Sequence, residues 1–163
     1  MPELFIRAAR PADAEQILGF ITELAIYEQA EHEVVATIGD IRDRLFGEHA
    51  TVYALMAEVA GEAVGFAVYF LNFSTWLGRH GIFLEDLYIT PAARGCGHAT
   101  ALLRHLARLA VERGYGRFEW NVLDWNAPAI AFYEAIGARP QSEWIGYRLD
   151  GDALTAFAAG PAD

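Results

Sequence analysis

At 163 residues the chain has the length of one domain, expected over residues 1–163, and can bury roughly two-thirds of its unfolded surface. Its apolar fraction of 54% excludes wholesale disorder, and a net charge of -10 excludes the basic face that nucleic acid demands while favouring cationic partners. No apolar run approaches the ~20 residues of a membrane span and MPELFIRAARPADAE has no hydrophobic leader core, so a soluble, cytoplasmic protein with no membrane partner is expected. The single Cys96 can form no internal disulfide.

Leu4–Ala8 alternates and reads as a first strand. Pro11-Ala12-Asp13 opens a helix with Asp13 as N-cap and Gln16 three residues on, carrying Ile17, Ile21, Leu24 and Ala25 on one face to about Tyr27. The next six residues bunch Glu28, Glu31 and Glu33, which composition alone reads as a solvated loop. Thr37–Phe46 is a shorter helix capped by Thr37 and ended by Gly47, with Ile38, Ile41 and Leu45 inward. Val52–Val59 and Val64–Phe73 are strands joined by the hairpin signal Ala60-Gly61-Glu62-Ala63, and a turn at Leu77–Gly81 returns the chain into Ile82–Ile89. Trp76, beside that turn, is either an exposed wall for an alkyl chain or an ordinary sheet-packing aromatic.

The stretch Leu84–Leu103 carries the densest signal. Thr90-Pro91 ends the strand, because proline cannot donate to a ladder, and Arg94-Gly95-Cys96-Gly97-His98-Ala99 leads into a helix that begins near Gly97 or His98 and stops at Gly114. A strand, a small-residue loop and a helix start form an anion site: the first helical amides lack partners, and glycine lets the main chain approach a phosphate. From Pro91 to Val111 there is no acid, but Arg94, Arg104 and Arg108 are present, which reverses the field of the acidic chain locally. A Gly-Lys-Ser/Thr ending is absent, and Thr100 stands where a dinucleotide fingerprint needs a small residue, so both of those phosphate motifs fail. Cys96 is a small loop residue or a reactive thiol at a helix start. The five histidines have no ligand spacing, so no metal is expected.

Arg117–Leu123 reads as a strand parallel to its predecessor. Asn126 caps the next helix, with Pro128 in its first turn and Gly137 beyond its end. Ala138–Glu143, weakened by Pro140, and Trp144–Leu149 read as closing strands, and Gly151–Asp163 as one amphipathic turn and a frayed tail. The order β-α-α-β-β-β-α-β-α-β-β implies a mixed α+β sheet.

Arg94-x-x-Gly97-x-Ala99 resembles the acetyl-CoA loop of the GNAT N-acetyltransferase superfamily, and Asp124-Trp125-Asn126 through Phe132-Tyr133 to Gly137-Ala138 is similar to its second motif. Tyr27-Glu28-x-x-Glu31, Phe46-Gly47-Glu48-His49, Trp76-Leu77-Gly78-Arg79 and Leu84-Glu85-Asp86 resemble the diamine and polyamine acetyltransferase branch. The resemblance implies a GNAT-like, mostly antiparallel sheet flanked by helices, acetyl-CoA as co-substrate, a small cationic amine as acceptor and a homodimer. It implies cofactor contacts from Leu87, Tyr88 and Ile89 at the strand end, from Arg94, Gly95, Cys96, Gly97, His98, Ala99 and Thr100 in the loop, and from Asn126 and Tyr133. Glu28, Glu31, Trp76, Glu85 and Asp86 fall where the branch binds its acceptor. Two positions depart from the family pattern: His98 replaces an aliphatic residue and Ala127 a common glutamate.

Acetyl transfer to nitrogen needs a neutral amine, a stabilised oxyanion and a proton for the leaving thiolate. By the resemblance Tyr133 donates that proton, a phenol near ~10 being protonated at neutral pH; packing on the sheet is its other reading. Glu85 is either a proton relay through water or an ammonium binder, since an ordinary glutamate near ~4.3 and an amine near ~10.4 differ by about six units, roughly 8 kcal/mol. Asn126 contacts the cofactor or only caps its helix. Acetylation of a protein lysine or N-terminus, or acyl-CoA binding without catalysis, are the competing functions; Tyr133 together with Glu85 weighs against the latter.

Overall fold

Alternating apolar stretches build a five-stranded sheet in the order β1 (Leu4–Ala8), β2 (Val52–Val59), β3 (Glu62–Ser74), β4 (Arg79–Ile89), β5 (Phe118–Trp120). The first three pairings are antiparallel and β4–β5 is parallel, as expected for a strand reached through a helical crossover. The computed structural model describes residues 2–161, and the backbone divides into two units, Met1–Leu123 and Asp124–Asp163.

In the first unit α1 (Ala14–Tyr27) and α2 (Ile38–Phe46) cover one face of the sheet. Ile17 and Phe20 of α1 pack on Ala54, Met56, Phe66, Val68 and Tyr88, with Phe20 5.5 Å from the Phe66 ring and 5.7 Å from Tyr88. α3 (His98–Glu112) lies against the sheet through Leu102, Leu103, Leu106 and Ala110, all buried. These apolar spacings were legible; Phe20 was not among the expected core residues and is one of its centres. α2 begins as its residues dictate, with Thr37 Oγ accepting from the Asp40 N–H at 3.1 Å and Asp40 accepting from the Thr37 N–H at 2.8 Å.

Asp13 does not cap α1 with its side chain, contrary to the sequence expectation. Its carboxylate accepts instead from the Arg10 N–H at 2.7 Å and from both terminal nitrogens of Arg7, at 2.8 and 2.9 Å, while Arg7 also reaches Glu58. Both carboxylate oxygens are engaged by these donors rather than by an amide of α1. The guanidinium holds Asp13 below the usual carboxylate range. A group whose folded pKa is depressed contributes stability above its unfolded value of ~3.9 and loses it as pH falls through the folded value. Arg7→Met should therefore cost about 2 kcal/mol at pH 7, and less at acid pH, as protonation of Asp13 weakens the pair. Thermal melts at neutral and acid pH measure this; an equal loss at both would show that the Arg7 stem, not the ion pair, matters.

In the second unit α4 (Ala127–Ala135) starts at Asn126, whose Oδ1 accepts from the Ala129 N–H at 3.4 Å, with Pro128 in the first turn. The expected closing strands are not formed: among the described residues none of 138–149 is in a strand, and the Trp144 N–H closes a turn on the Gln141 carbonyl at 3.1 Å. Alternation predicts a strand only where a neighbouring strand supplies ladder partners, and Pro140 removes one donor besides. The tail is more ordered than expected, forming α5 (Gly151–Ala159); residues 162 and 163 lie outside the described residues. Ile145, Tyr147 and Phe157 are exposed by 77%, 96% and 77%, more apolar surface than a solvent-facing segment ordinarily presents.

Candidate functional site

β4 pairs with β3 along nearly its whole length but with β5 only at Ile82, Phe83 and Leu84. Beyond Leu84, among the described residues, no strand occupies the β5 side of β4, so the edge from Glu85 to Ile89 is open. An open edge offers main-chain donors and acceptors to an extended guest. Gly65 lies opposite Ile89, and a Cβ there would run into the Tyr88 carbonyl and the Ile89 side chain, so glycine is what lets β3 hold this strand end closely.

Register shifts at the acidic pair. Val68 faces Asp86 while Tyr69 faces Leu84, which leaves Glu85 as the extra residue of a bulge. Residues 84 and 86 of a regular strand share a face. Here the bulge turns Asp86 to the face of its partner Val68, which belongs to the cluster under α1, where Glu28 follows the helix end. Asp86 is half-buried and Glu85 exposed. Burial, then the charges of Glu85 and Glu28, push the Asp86 carboxyl up to about 6. Burial first, and Glu85 second, also raise Glu28. Three carboxylates thus share one field.

Glu31 is not part of that trio. It lies on a short 3-10 turn and fronts an open depression with Ile26, Gln29 and His32. Trp76 is 79% exposed in the β3–β4 turn. It sits beyond Arg79, at the opposite end of β4 from Glu85, which at strand rise is roughly 20 Å away. Neither candidate is brought to the carboxylates by the first unit.

After Ile89 a short turn, Pro91–Ala93, leads into Arg94–Gly97. Gly95 and Gly97 adopt φ of 79° and 81°, a left-handed backbone that favours glycine, and no side chain caps α3. His98, Ala99 and Thr100, the first residues of α3, therefore present amides free for a ligand's oxygens, and no acid follows until Glu112. The His98 departure leaves that arrangement in place. Cys96 is exposed, its sulfur 3.8 Å from the Arg94 carbonyl. Arg94 itself turns its Nε to the Ile89 carbonyl at 2.9 Å.

In the second unit Asn126 performs the capping bond described above, and Tyr133 stands half-buried on α4, 5.7 Å from the Phe132 ring.

Sequence comparison bears on this arrangement directly. The model of the acetyltransferase (GNAT) family matches residues 13–138, a span that runs from the start of α1 past α4. The chain belongs to the GNAT acetyltransferase family. It is 35% identical to a mouse thialysine N-epsilon-acetyltransferase, over 94% of this chain and 96% of that one. It is 30% identical to an Arabidopsis thaliana L-ornithine N5-acetyltransferase, over 93% and 86%. The fold matches an integron cassette protein from the mobile metagenome of Vibrio cholerae with a TM-score of 0.80 and 27% identity, covering 95% of this chain and 97% of that one. The chain is accordingly a GNAT acetyltransferase.

Two features of this GNAT site had no clear sequence signal. One is the bulge that separates Glu85 from Asp86, since neighbouring acids in a strand predict opposite faces whichever one points inward. The other is the enclosure of Arg94 by Tyr27 and Tyr88, which are far apart in the chain.

Proposed function

We propose that the enzyme uses acetyl-CoA to acetylate a primary amine of a small cationic acceptor, a di- or polyamine or a lysine-like amino acid, by direct attack on the thioester. The observation that carries this reading is the convergence of Glu28, Glu85 and Asp86 beside the open edge of β4. A shared field of three carboxylates favours an ammonium, and amino acids and amines with a second cationic group gain most. The names of the thialysine and ornithine relatives agree with such an acceptor.

The roles follow from the chemistry. Loop amides from Gly95 to Thr100 hold the pyrophosphate at the uncapped start of α3, and the acyl arm lies along Glu85–Ile89, where main-chain N–H groups near Tyr88 and Ile89 meet the carbonyl. A carboxylate first takes a proton from the ammonium, and the neutral nitrogen then attacks the carbonyl carbon, forming C–N as the charge on oxygen is met by those amides. Asp86 at about 6 narrows the gap to an amine near ~10.4 to about four units, roughly 6 kcal/mol, against the roughly 8 kcal/mol of an unperturbed glutamate. Half-buried Asp86 takes the proton, and exposed Glu85 passes it to solvent. As C–S breaks, Tyr133 protonates the thiolate, and the second proton shed by the nitrogen restores the phenol.

Thiol release from acetyl-CoA with putrescine, spermidine, spermine, thialysine, lysine, a histone-like peptide and a monoamine tests this reading. Turnover is expected with the multi-cationic small molecules; a preference for the peptide would move the chain to the protein-acetylating class. Replacing Glu28 by Gln should raise KM for spermidine or thialysine about tenfold and for the monoamine about twofold at most. Equal effects would return that residue to a solvated surface.

A cytoplasmic homodimer completes the proposal. The exposed Ile145, Tyr147 and Phe157 support it, being apolar surface that a second copy would cover. Sedimentation should give twice the chain mass, and Ser at these three positions should shift it toward the monomer.

A further inference from the structure

The Arg94 side chain joins the loop, the strand end and the end of α1. Its Nε–H donates to the Ile89 carbonyl at 2.9 Å, at the last residue of β4. Its guanidinium carbon lies 5.5 Å from the Tyr88 ring centroid and 5.6 Å from that of Tyr27. Tyr27 is the last residue of α1, and Glu28 follows it directly. Tyr88 is buried and built into the core with Phe20, so the plane on that side of the cation is fixed. Tyr27 is 46% exposed, and the ring contact with Arg94 adds restraint to this helix end. Immediately beyond it Gln29 has φ of 61°, so the chain leaves the helix through a conformation that side chains rarely adopt. A restraint at Tyr27 therefore acts on where Glu28 stands.

We propose that Arg94 is a positioning residue that couples the two substrates: held by the Ile89 carbonyl and the Tyr88 ring, it docks Tyr27 and with it the acceptor carboxylate of Glu28, so that ordering the acyl-CoA loop orders the amine site. The inference rests on the functional reading above for what each side binds. The contacts themselves do not depend on it. Such a link is reciprocal: whatever the acceptor gains from the cofactor, the cofactor gains from the acceptor.

The test uses a residue outside the loop. Acetyl-CoA affinity is measured by calorimetry on the full chain, without acceptor, for wild type, Tyr27→Ala and Tyr27→Phe. Tyr27→Ala removes the ring from Arg94 and should weaken acetyl-CoA about fivefold, while Tyr27→Phe keeps the ring and should stay within about twofold. Arg94→Met should raise the KM of acetyl-CoA and of spermidine together, by about fivefold or more each, with melting temperature used to exclude misfolding. Unchanged acetyl-CoA affinity in Tyr27→Ala would overturn the link, and so would a Phe variant as impaired as Ala. Because the calorimetry needs no acceptor, a protein that turns over none of the amines would overturn the functional reading and leave the coupling result standing on its own.

Discussion

Asp86→Asn is expected to lower kcat/KM about 100-fold or more and, at the same time, to make the protein more stable at alkaline pH. The first effect is the loss of the proton acceptor, worth two to four orders of magnitude where a positioned base is needed. The second follows from the direction of its shift. Asp86 sits at about 6 in the folded chain against an ordinary 3.8. A carboxyl raised on folding favours the folded state below its unfolded pKa, and that advantage is lost as pH rises through the folded value. Roughly two units correspond to a penalty of about 3 kcal/mol at pH 8. Asparagine carries no charge to bury, so its melting temperature at pH 8 should exceed that of the wild type by several degrees, and the excess should vanish near pH 4. The wild-type profile of kcat/KM should bend downward below pH of about 6. Glu85→Gln should move that bend to lower pH by more than Glu28→Gln does, because Glu85 is the larger of the two charge contributions. An Asn variant that is slow and also less stable at pH 8 would mean that Asp86 is a structural partner, not a strained catalytic one.

What the sequence reveals and what it withholds divide along a physical line. The loop and the helix after it are local: Pro91 stops a strand, glycines permit left-handed turns, and Leu102, Leu103, Leu106 and Ala110 repeat with a helical period, so the end of β4, the loop and α3 are placed within a residue or two of expectation, while β4 begins three residues earlier than expected. Val52–Val59 is placed to the residue. Failures arise where a distant partner decides. Trp144–Leu149 alternates as a strand should, yet a strand needs a ladder partner that the segment itself cannot encode. Asp13 has the composition of a cap, but Arg7 and Arg10 take its oxygens. The bulge at Glu85 is of the same kind: pairing with β3 creates it, and it sets half-buried Asp86 opposite Val68 while Glu85 stays exposed. Candidate acids can therefore be listed from sequence, but which of them is half-buried is chosen by register.

Tyr133→Phe should reduce kcat about 100-fold with the KM for acetyl-CoA changed by less than about threefold. The substitution deletes one oxygen from a half-buried ring on α4 and leaves the helix cap at Asn126, the packing volume and the ring contact with Phe132 intact. On the proposed role, the substitution removes the proton supplied as C–S breaks. A thiolate whose conjugate thiol has a pKa near ~8.5 is a poor leaving group to release bare into a partly desolvated site, while a phenol near ~10 lies within about two units of it, a match close enough for transfer as the bond lengthens. That interaction exists only in the transition state, so its loss belongs in kcat and not in ground-state binding. A phenylalanine variant with normal kcat and a raised KM would assign the hydroxyl to holding the cofactor, and one with both constants unchanged would leave Tyr133 a packing residue and pass the thiolate's proton to solvent.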